Sequence, residues 1–248
     1  MNKLAKYIRK IVGQEKVMNQ LSYIEQNQRE LLKANMFHDV IVDSEWLKYK
    51  NFLVGGVAID YACSYTLFRI LNQMKPQHIL EFGLGQSSKL IHQYASFFGI
   101  PAVTIEHSKE WISFFKNDVG NQYGINIEIA ELEDVVYKGE VTLSYKGIQE
   151  TLKGKKFDFV FVDGPYGFLH EHFSRPQIID VVKYNLKDSF CVVMDDYDRS
   201  GEKETVAEVL KVLDEKGISY EQMVYAGQKE HILICSKDLY LLTTLASF

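Results

Sequence analysis

Short apolar runs alternate regularly with helical stretches after residue 78, and this alternation restricts the fold more than any other feature of the chain. Strand-like runs rich in Val, Ile and Phe occupy residues 78–82, 102–106, 125–130, 157–162 and 190–194. Strands that are apolar on both faces are typical of a parallel sheet covered by helices on both sides. Two further runs, 220–225 and 231–235, are joined by residues 226–230, a connection too short for a crossover helix. The sequence therefore predicts a doubly wound, Rossmann-like α/β sheet of seven strands whose last strand is antiparallel.

The region before this sheet predicts a separate helical extension. Residues 3–35 carry apolar side chains three or four positions apart, which predicts one or two amphipathic helices with a break at Gly13. Residues 36–76 are interpreted as a lid or entry segment, with a flexible joint at Gly55 and Gly56 and a helix over residues 62–74. The predicted organisation is an N-terminal helical extension over residues 1–49 and a main domain over residues 50–248.

Three roles are open for this extension. Its helices can pack on the main domain, form a homo-oligomer with a second copy, or touch a membrane surface peripherally through their basic first turns. Packing on the domain is the simplest of these hypotheses.

Composition and charge exclude several functional classes. A formal net charge of -5 lacks the basic footprint of nucleic-acid binding proteins, so we expect no nucleic-acid partner. The three cysteines form no CxxC pair or metal-ligand spacing, and Cys191 and Cys235 are expected to be small buried side chains. No apolar stretch approaches the roughly 18 residues of a membrane span, and lysines interrupt the N-terminal apolar run. We therefore expect a cytoplasmic protein.

A glycine-rich turn follows the first predicted strand. Gly83 and Gly85 allow a ligand to approach the backbone, and Ser87 or Ser88 can cap the helix that follows. Such a turn also fits an NAD(P)-binding protein, but Ser88 replaces the third glycine of the dinucleotide fingerprint. Glu81, at the start of the turn, would repel a phosphate and attract an amino group. These details favour a ligand with an amino group at this position.

Two more acids follow later strands of the same half of the chain. Glu106 ends the second strand, 21 residues after Gly85, where a carboxylate can accept the hydroxyls of a ribose. Glu131 follows the third strand and is a candidate for binding an adenine amine. The turn and the two acids together predict a cofactor that contains adenosine.

Residues 81–85, with the sequence EFGLG, and Glu106 downstream resemble the first two motifs of class I S-adenosylmethionine (SAM)-dependent methyltransferases. The resemblance covers about residues 50–236, and that family has a seven-stranded sheet closed by a hairpin with an antiparallel last strand. The resemblance implies that SAM is the cofactor. It places Glu81 near the methionine amino group, Gly83 and Gly85 beneath the cofactor, and Glu106 on the ribose.

Three acids follow the fourth and fifth strands. Asp163, Asp195 and Asp196 lie where carboxyl ends of parallel strands meet, and an all-oxygen set suits Mg²⁺. The arrangement is similar to metal-dependent O-methyltransferases, including enzymes that act on sugars, which implies O-methylation of a saccharide or another small molecule. Pro165 stands where the sugar enzymes often carry a further acid. The alternative is that Asp195 and Asp196 cap a helix or pair with Arg199.

The loop after Asp163 carries the candidate acceptor residues. The sequence DGPYG followed by Arg175 resembles methyltransferases that modify uronic acids in plant xylan, which implies that Arg175 grips a substrate carboxylate. Tyr166 is a candidate for stacking on a sugar or an aromatic ring, and Asp163, His170 and His172 are candidate bases. Two other functions stay open: an NAD(P)-linked Rossmann oxidoreductase and a non-catalytic methyltransferase-like binding module.

Overall fold

A mixed sheet of seven strands forms the centre of the protein. The computed structural model describes residues 3–56, 58–119 and 124–244. Its helices, followed by its strands, are α1 (Lys3–Ile41), α2 (Tyr61–Gln73), α3 (Gln86–Phe98), α4 (Lys109–Val119), α5 (Ile148–Thr151), α6 (Gln177–Tyr184), α7 (Ser200–Glu215), β1 (Ile79–Phe82), β2 (Ala102–Glu106), β3 (Ile127–Ile129), β4 (Leu132–Tyr137), β5 (Glu140–Tyr145), β6 (Phe157–Val162), β7 (Leu186–Met194), β8 (Tyr220–Ala226) and β9 (Glu230–Ser236). Residues 237–244 form a 3₁₀ helix.

The strand order confirms the predicted sheet. The order is β3-β2-β1-β6-β7-β9-β8, with β3, β2, β1, β6 and β7 parallel. The strand β9 runs antiparallel to both β7 and β8, as the short connection required. Two strands, β2 and β6, have the predicted bounds, and the others differ by a few residues at their ends.

Two apolar layers cover the sheet. On one face, Phe159 and Phe161 pack with α2, α3 and the end of α1; on the other, Val160 and Val162 pack with α6 and α7. This division follows from the strand geometry, in which successive side chains point to opposite faces. Cys191 and Cys235 are fully buried, as expected.

A second sheet of two strands was not predicted. The strands β4 and β5 pair antiparallel as a hairpin, with Leu132 opposite Tyr145. The first of them mixes acidic and apolar side chains without clear alternation, so its pattern carried little strand signal. The last residue of the hairpin, Tyr145, is buried and stacks on Phe82 of β1, with 5.7 Å between the ring centroids.

The N-terminal region forms one helix, and the predicted break at Gly13 is wrong. A glycine inside a helix costs about 1 kcal/mol relative to alanine, which good helix formers on both sides can offset. Residues 13–26 are exposed, including Leu21 at 54 %. Within the described ranges, no helix combines the length and the apolar character needed to cross a membrane. Contact of α1 with a second copy or with a membrane surface stays a prediction.

The last part of α1 and the segment after it belong to the core and do not form a lid. Phe37 is 0 % exposed and packs edge-on against Phe68 of α2, with 6.4 Å between the ring centroids. Trp46 stacks on the same Phe68 ring at 5.2 Å. An apolar surface of this size cannot open without exposing the core, which excludes the predicted lid role for residues 36–47. The predicted domain boundary at residue 49 is not tested by this packing and stays a prediction.

Truncation of Phe37 tests whether the main domain depends on α1. We expect Phe37→Ala to lower the free energy of unfolding by about 3–5 kcal/mol, because it leaves a cavity in a closely packed core. Leu21→Ala, on the exposed part of the same helix, should change it by no more than about 0.5 kcal/mol. Urea denaturation followed by circular dichroism measures both. Equal, small effects of the two substitutions would show that the domain is stable without α1.

Candidate functional site

The centre of the sheet creates a crevice at the carboxyl ends of β1 and β6. The strand order reverses between these two strands, and open α/β sheets bind ligands at such a point. Gly83 follows β1 with a φ of 92°, and Asp163 follows β6. A Cβ atom on Gly83 would lie 2.5 Å from the carbonyl oxygen of Asp163. Glycine is therefore required at this position by both the backbone conformation and the close approach of the two loops.

The glycine turn is open on its other side. Gly85 precedes α3 in an extended conformation, and its backbone N–H donates to Ser88 Oγ at 3.0 Å. A Cβ atom built on Gly85 would meet no atom within 4 Å among the described residues. The turn therefore leaves room for a ligand next to the first turn of α3.

The structure places Glu81 beneath this turn. Its carboxyl group is fully buried and accepts hydrogen bonds from Ser87 Oγ at 2.6 Å, Ser88 Oγ at 2.8 Å and Thr104 Oγ1 at 2.5 Å. Burial raises the pKa of Glu81 to about 7, although the hydroxyl hydrogen bonds act in the opposite direction. The predicted contact with a methionine amino group would need these hydroxyls to move, and it stays a prediction.

Glu106 joins the end of β2 to the glycine turn. Its Oε2 accepts the backbone N–H of Leu84 at 3.0 Å, and its Oε1 accepts the backbone N–H of His107 at 2.7 Å and of Ser108 at 2.8 Å. Burial by itself would raise the pKa of Glu106, but the His107 side chain, 2.8 Å away, and the backbone N–H groups of Ser108 and Leu84 outweigh it and hold the pKa below its usual value. This carboxylate is therefore ionised at neutral pH. Glu131, by contrast, has a side chain that is 82 % exposed and lies 3.7 Å from Lys146.

The structure brings together the three acids predicted at the ends of the fourth and fifth strands. Oxygen atoms of Asp163, Asp195 and Asp196 lie within 4.8 Å of one another. Burial and the mutual repulsion of these carboxylates raise the pKa of Asp163, while Arg175 and Lys229 act to lower it. The pKa of Asp196 is held low despite its burial, because Arg175, Lys229 and Arg199 surround it.

This acid cluster does not fit a Mg²⁺ ion in the arrangement seen here. Lys229 Nζ lies 2.7 Å from Asp195 Oδ2 and 3.1 Å from Asp196 Oδ1. Arg175 Nη2 lies 3.2 Å from Asp163 Oδ1 and 2.7 Å from Asp196 Oδ2. A divalent cation would have to displace an ammonium and a guanidinium that already neutralise the carboxylates. The predicted metal site is therefore occupied by side-chain cations.

Arg175 is buried, and its guanidinium is used within the protein. Besides Asp163 and Asp196, it donates to the backbone oxygens of Pro165, Val162 and Asp195 at 3.0–3.3 Å. A guanidinium has five N–H donors, so these five bonds leave none for a substrate carboxylate. The structural role of Arg175 thus differs from the predicted one: it ties the loop after β6 to the end of β7.

The other acceptor-side residues lie on the loop after β6. Tyr166 is 46 % exposed and its ring meets the ring of His107 edge-on, with centroids 4.8 Å apart. His170 Nε2 lies 3.5 Å from Asp134 of β4, and His172 Nδ1 lies 3.0 Å from Glu204 of α7. The hydrogen bond with Glu204 raises the pKa of His172. Both imidazoles are engaged by other acids than Asp163, and their role as bases stays a prediction.

Two residues of the site had no clear signal in the sequence. Lys229 lies in the turn between β8 and β9, and 34 positions separate it from Asp195. Tyr145 comes from the unpredicted hairpin, and its hydroxyl is buried next to Gly164 without a hydrogen-bond partner among the described residues. Only the closing hairpin itself, which returns the chain to the carboxyl end of β7, could have pointed to Lys229.

The two glycines of the turn provide a matched pair of substitutions. We expect Gly83→Ala to lower the free energy of unfolding by about 1–3 kcal/mol or more. Alanine is strained at a positive φ, and its Cβ atom would be forced against the Asp163 carbonyl. Gly85→Ala adds a methyl group in open space and should leave the unfolding temperature nearly unchanged. Differential scanning calorimetry compares the two variants. A Gly83→Ala protein as stable as the wild type would contradict the close approach of the two loops.

Glu81 should make stability depend on pH. Because its pKa rises from 4.5 to about 7 on folding, the folded chain binds more protons than the unfolded chain between these values. Its contribution to stability is therefore complete below pH 4.5 and is lost as the pH rises through 7. In Glu81→Gln this loss, on the order of 3 kcal/mol, should disappear.

Chemical denaturation at several pH values between 4.5 and 8 measures this effect. Glu131→Gln, which changes an exposed acid, should retain the pH dependence of the wild type. If the free energy of unfolding depends on pH equally in the wild type, Glu81→Gln and Glu131→Gln, Glu81 does not titrate between pH 4.5 and 8.

No protein-family model and no curated protein matches this sequence.

Among solved structures, the chain is similar to an O-methyltransferase from Bacillus cereus in complex with S-adenosylhomocysteine, at 15% identity and a TM-score of 0.42, over 69% of this chain and 79% of that one. It is also similar to a putative caffeoyl-CoA O-methyltransferase from Staphylococcus aureus, at 15% identity and a TM-score of 0.46, over 68% and 80% of the two chains. A third similar structure is an S-adenosylhomocysteine-bound methyltransferase from Podospora anserina, at 16% identity and a TM-score of 0.45, over 90% and 96%. Similarities this distant do not identify the reaction or the substrate. The strand order of the sheet is that of the class I methyltransferase fold.

Proposed function

We propose that this chain is a SAM-dependent methyltransferase that methylates a hydroxyl oxygen of a small molecule. The observation that carries the proposal is the hydrogen bond between the Leu84 N–H and Glu106 Oε2, at 3.0 Å. It joins the glycine turn and the acid at the end of β2 into one cradle, next to the crevice where the strand order reverses. A cradle of this kind suits a ligand that pairs a ribose with an amino-acid moiety.

The charges of the cradle favour SAM over a dinucleotide. Glu106 is ionised, and its Oε2 accepts only one N–H within the described part of the chain, so a lone pair is left for a ribose hydroxyl. Ser87 and Ser88, at the first turn of α3, direct their hydroxyls to the buried Glu81. A pyrophosphate at this helix terminus would lie close to a carboxyl group that is half ionised near pH 7, which costs electrostatic energy.

The acceptor side supplies a base next to the cradle. When bound, SAM would supply a methyl group on a sulfonium sulfur, activated for in-line displacement. The protein must then hold an acceptor oxygen in line and remove its proton. We propose Asp163 for this role, because its side chain is 19% exposed and lies at the end of β6, beside Gly83. Its raised pKa makes it a stronger base than an ordinary aspartate once it is ionised.

A saccharide is the acceptor class that we propose. Tyr166 and Phe168 lie on the loop after β6 with their rings exposed and 5.5 Å apart, and aromatic rings of this kind can stack on the apolar face of a sugar. The edge-on contact between Tyr166 and His107 brings this platform to the cofactor cradle. An acceptor bound on Tyr166 would therefore lie next to the cofactor cradle.

Titration calorimetry with S-adenosylhomocysteine tests the cofactor. We expect micromolar binding to the wild type and a 5- to 150-fold weaker affinity for Glu106→Ala, which corresponds to about 1–3 kcal/mol for a lost hydrogen bond to a charged group. Glu150→Ala, an exposed acid outside the cradle, serves as the matched control and should bind as the wild type does.

The same titration distinguishes the competing functions. Binding of NAD in place of S-adenosylhomocysteine would establish the oxidoreductase alternative. Binding of neither ligand would favour a non-catalytic module. If S-adenosylhomocysteine binds, saccharides with free hydroxyls are the first acceptors to screen, by following the release of S-adenosylhomocysteine.

A further inference from the structure

We propose that the Lys229 ammonium takes the place of a divalent cation at the acceptor site, so that the protein holds its acceptor oxygen without a metal. This inference rests on the proposed function for its catalytic part, and on the structure alone for its metal-binding part. It concerns a residue that neither the glycine turn nor the acid motifs pointed to.

The geometry around Lys229 resembles the coordination of a cation. Its Nζ lies between two carboxylates, 2.7 Å from Asp195 and 3.1 Å from Asp196. Lysine carries three N–H donors, so two carboxylate partners leave one donor for a further oxygen. The Lys229 side chain is 17% exposed, and Asp163, at 19%, is similarly accessible. Both the proposed base and the proposed cation can therefore reach a bound acceptor.

The ion pairs of the acid cluster explain why a metal is not needed. Four carboxylates, those of Asp163, Asp195, Asp196 and Glu202, are in ion pairs with three cations, Arg175, Arg199 and Lys229. Buried carboxylates without a cation are strongly destabilising. If Lys229 were neutral, Asp195 would lose its ion-pair partner, and Asp196 would keep only the two arginines. A hard divalent cation is the natural replacement for such a loss.

Lys229 is held in place by contacts outside the acid cluster. Its backbone N–H donates to Asp60 Oδ2 at 3.0 Å, while Asp60 Oδ1 caps α2 by accepting the N–H of Cys63 at 2.8 Å. A Cβ atom on Gly227, two residues earlier, would lie 2.5 Å from oxygens of both Asp60 and Glu30. The turn between β8 and β9 is thus packed tightly against α1 and α2, which fixes the ammonium before any ligand binds.

The chemical role follows from this position. An ammonium that donates a hydrogen bond to the acceptor hydroxyl favours its ionised form and lowers its pKa, as a metal ion does. Asp163 would take the proton of the hydroxyl. Bound SAM would supply the methyl group, whose transfer to the acceptor oxygen would break the sulfur–methyl bond and leave a neutral thioether, so charge and atoms balance.

A titration with Mn²⁺ tests the proposal without any assay of methyl transfer. By calorimetry, we expect no saturable binding of Mn²⁺ to the wild-type protein and saturable binding to Lys229→Met. Lys187→Met is the matched control, since Lys187 pairs with Asp158 at the opposite end of the sheet, at 3.0 Å. It should behave as the wild type does. Lys229→Gln, which keeps an N–H donor for Asp195, serves as a second and milder variant.

The outcomes separate this proposal from the proposed function. The assignment of Lys229 as the resident cation is overturned if the wild type binds Mn²⁺ saturably and Asp195→Asn loses that binding. It is also overturned if the Lys229 variants bind Mn²⁺ no better than the wild type. A Lys229 variant that is unfolded in EDTA and refolds with millimolar Mn²⁺ supports this assignment. A Lys229 variant that stays unfolded with Mn²⁺ counts against it. If S-adenosylhomocysteine does not bind but the Lys229 variants gain a Mn²⁺ site, the proposed function fails and the assignment of Lys229 as the resident cation remains.

Discussion

Compensation of buried carboxylates is the constraint on which the acceptor half of the protein depends. Parallel strands end at one edge of the sheet, so acids that follow β6 and β7 are forced together there. Several of them are almost inaccessible to water, and an unpaired carboxylate in that position costs several kcal/mol. Arg175, from the loop after β6, and Lys229, from the turn between β8 and β9, meet this need. The course of the loop after β6 and of the last hairpin is therefore tied to the charge of the acids.

The cofactor half solves the same problem in another way. Glu81 is surrounded by hydroxyl groups and Glu106 by backbone N–H groups and the His107 imidazole, so neither depends on a lysine or an arginine. Hydroxyls leave the pKa of Glu81 raised to about 7, whereas N–H donors hold the pKa of Glu106 low. Two acids at neighbouring strand ends thus differ at neutral pH: Glu81 is about half ionised, and Glu106 is ionised. Only Glu106 offers a full negative charge to a ligand.

The sequence predicted the sheet because strand and helix periods are local, and it predicted which acids would meet because strand ends share one edge. It did not predict what surrounds those acids. Arg175 was expected to face a substrate, but its five partners come from the ends of β6 and β7 and from the loop between β6 and α6. The hairpin that carries Tyr145 was missed because charged residues interrupt its alternation, and Lys229 was missed because its pairing is long-range. Local patterns thus fixed the framework, while compensation between distant residues decided the chemistry of the site.

The unbroken helix α1 also determines the shape of the molecule in solution. Residues 13–26 of this helix are exposed, and its first 27 residues, Lys3 to Arg29, span about 40 Å at 1.5 Å per residue. A compact domain of about 200 residues has a radius of gyration of about 17 Å. A rod longer than twice that radius makes rotational diffusion strongly anisotropic, so the protein tumbles more slowly about its short axes than a sphere of equal mass. This helix therefore makes the hydrodynamic size larger than that of the sheet domain alone.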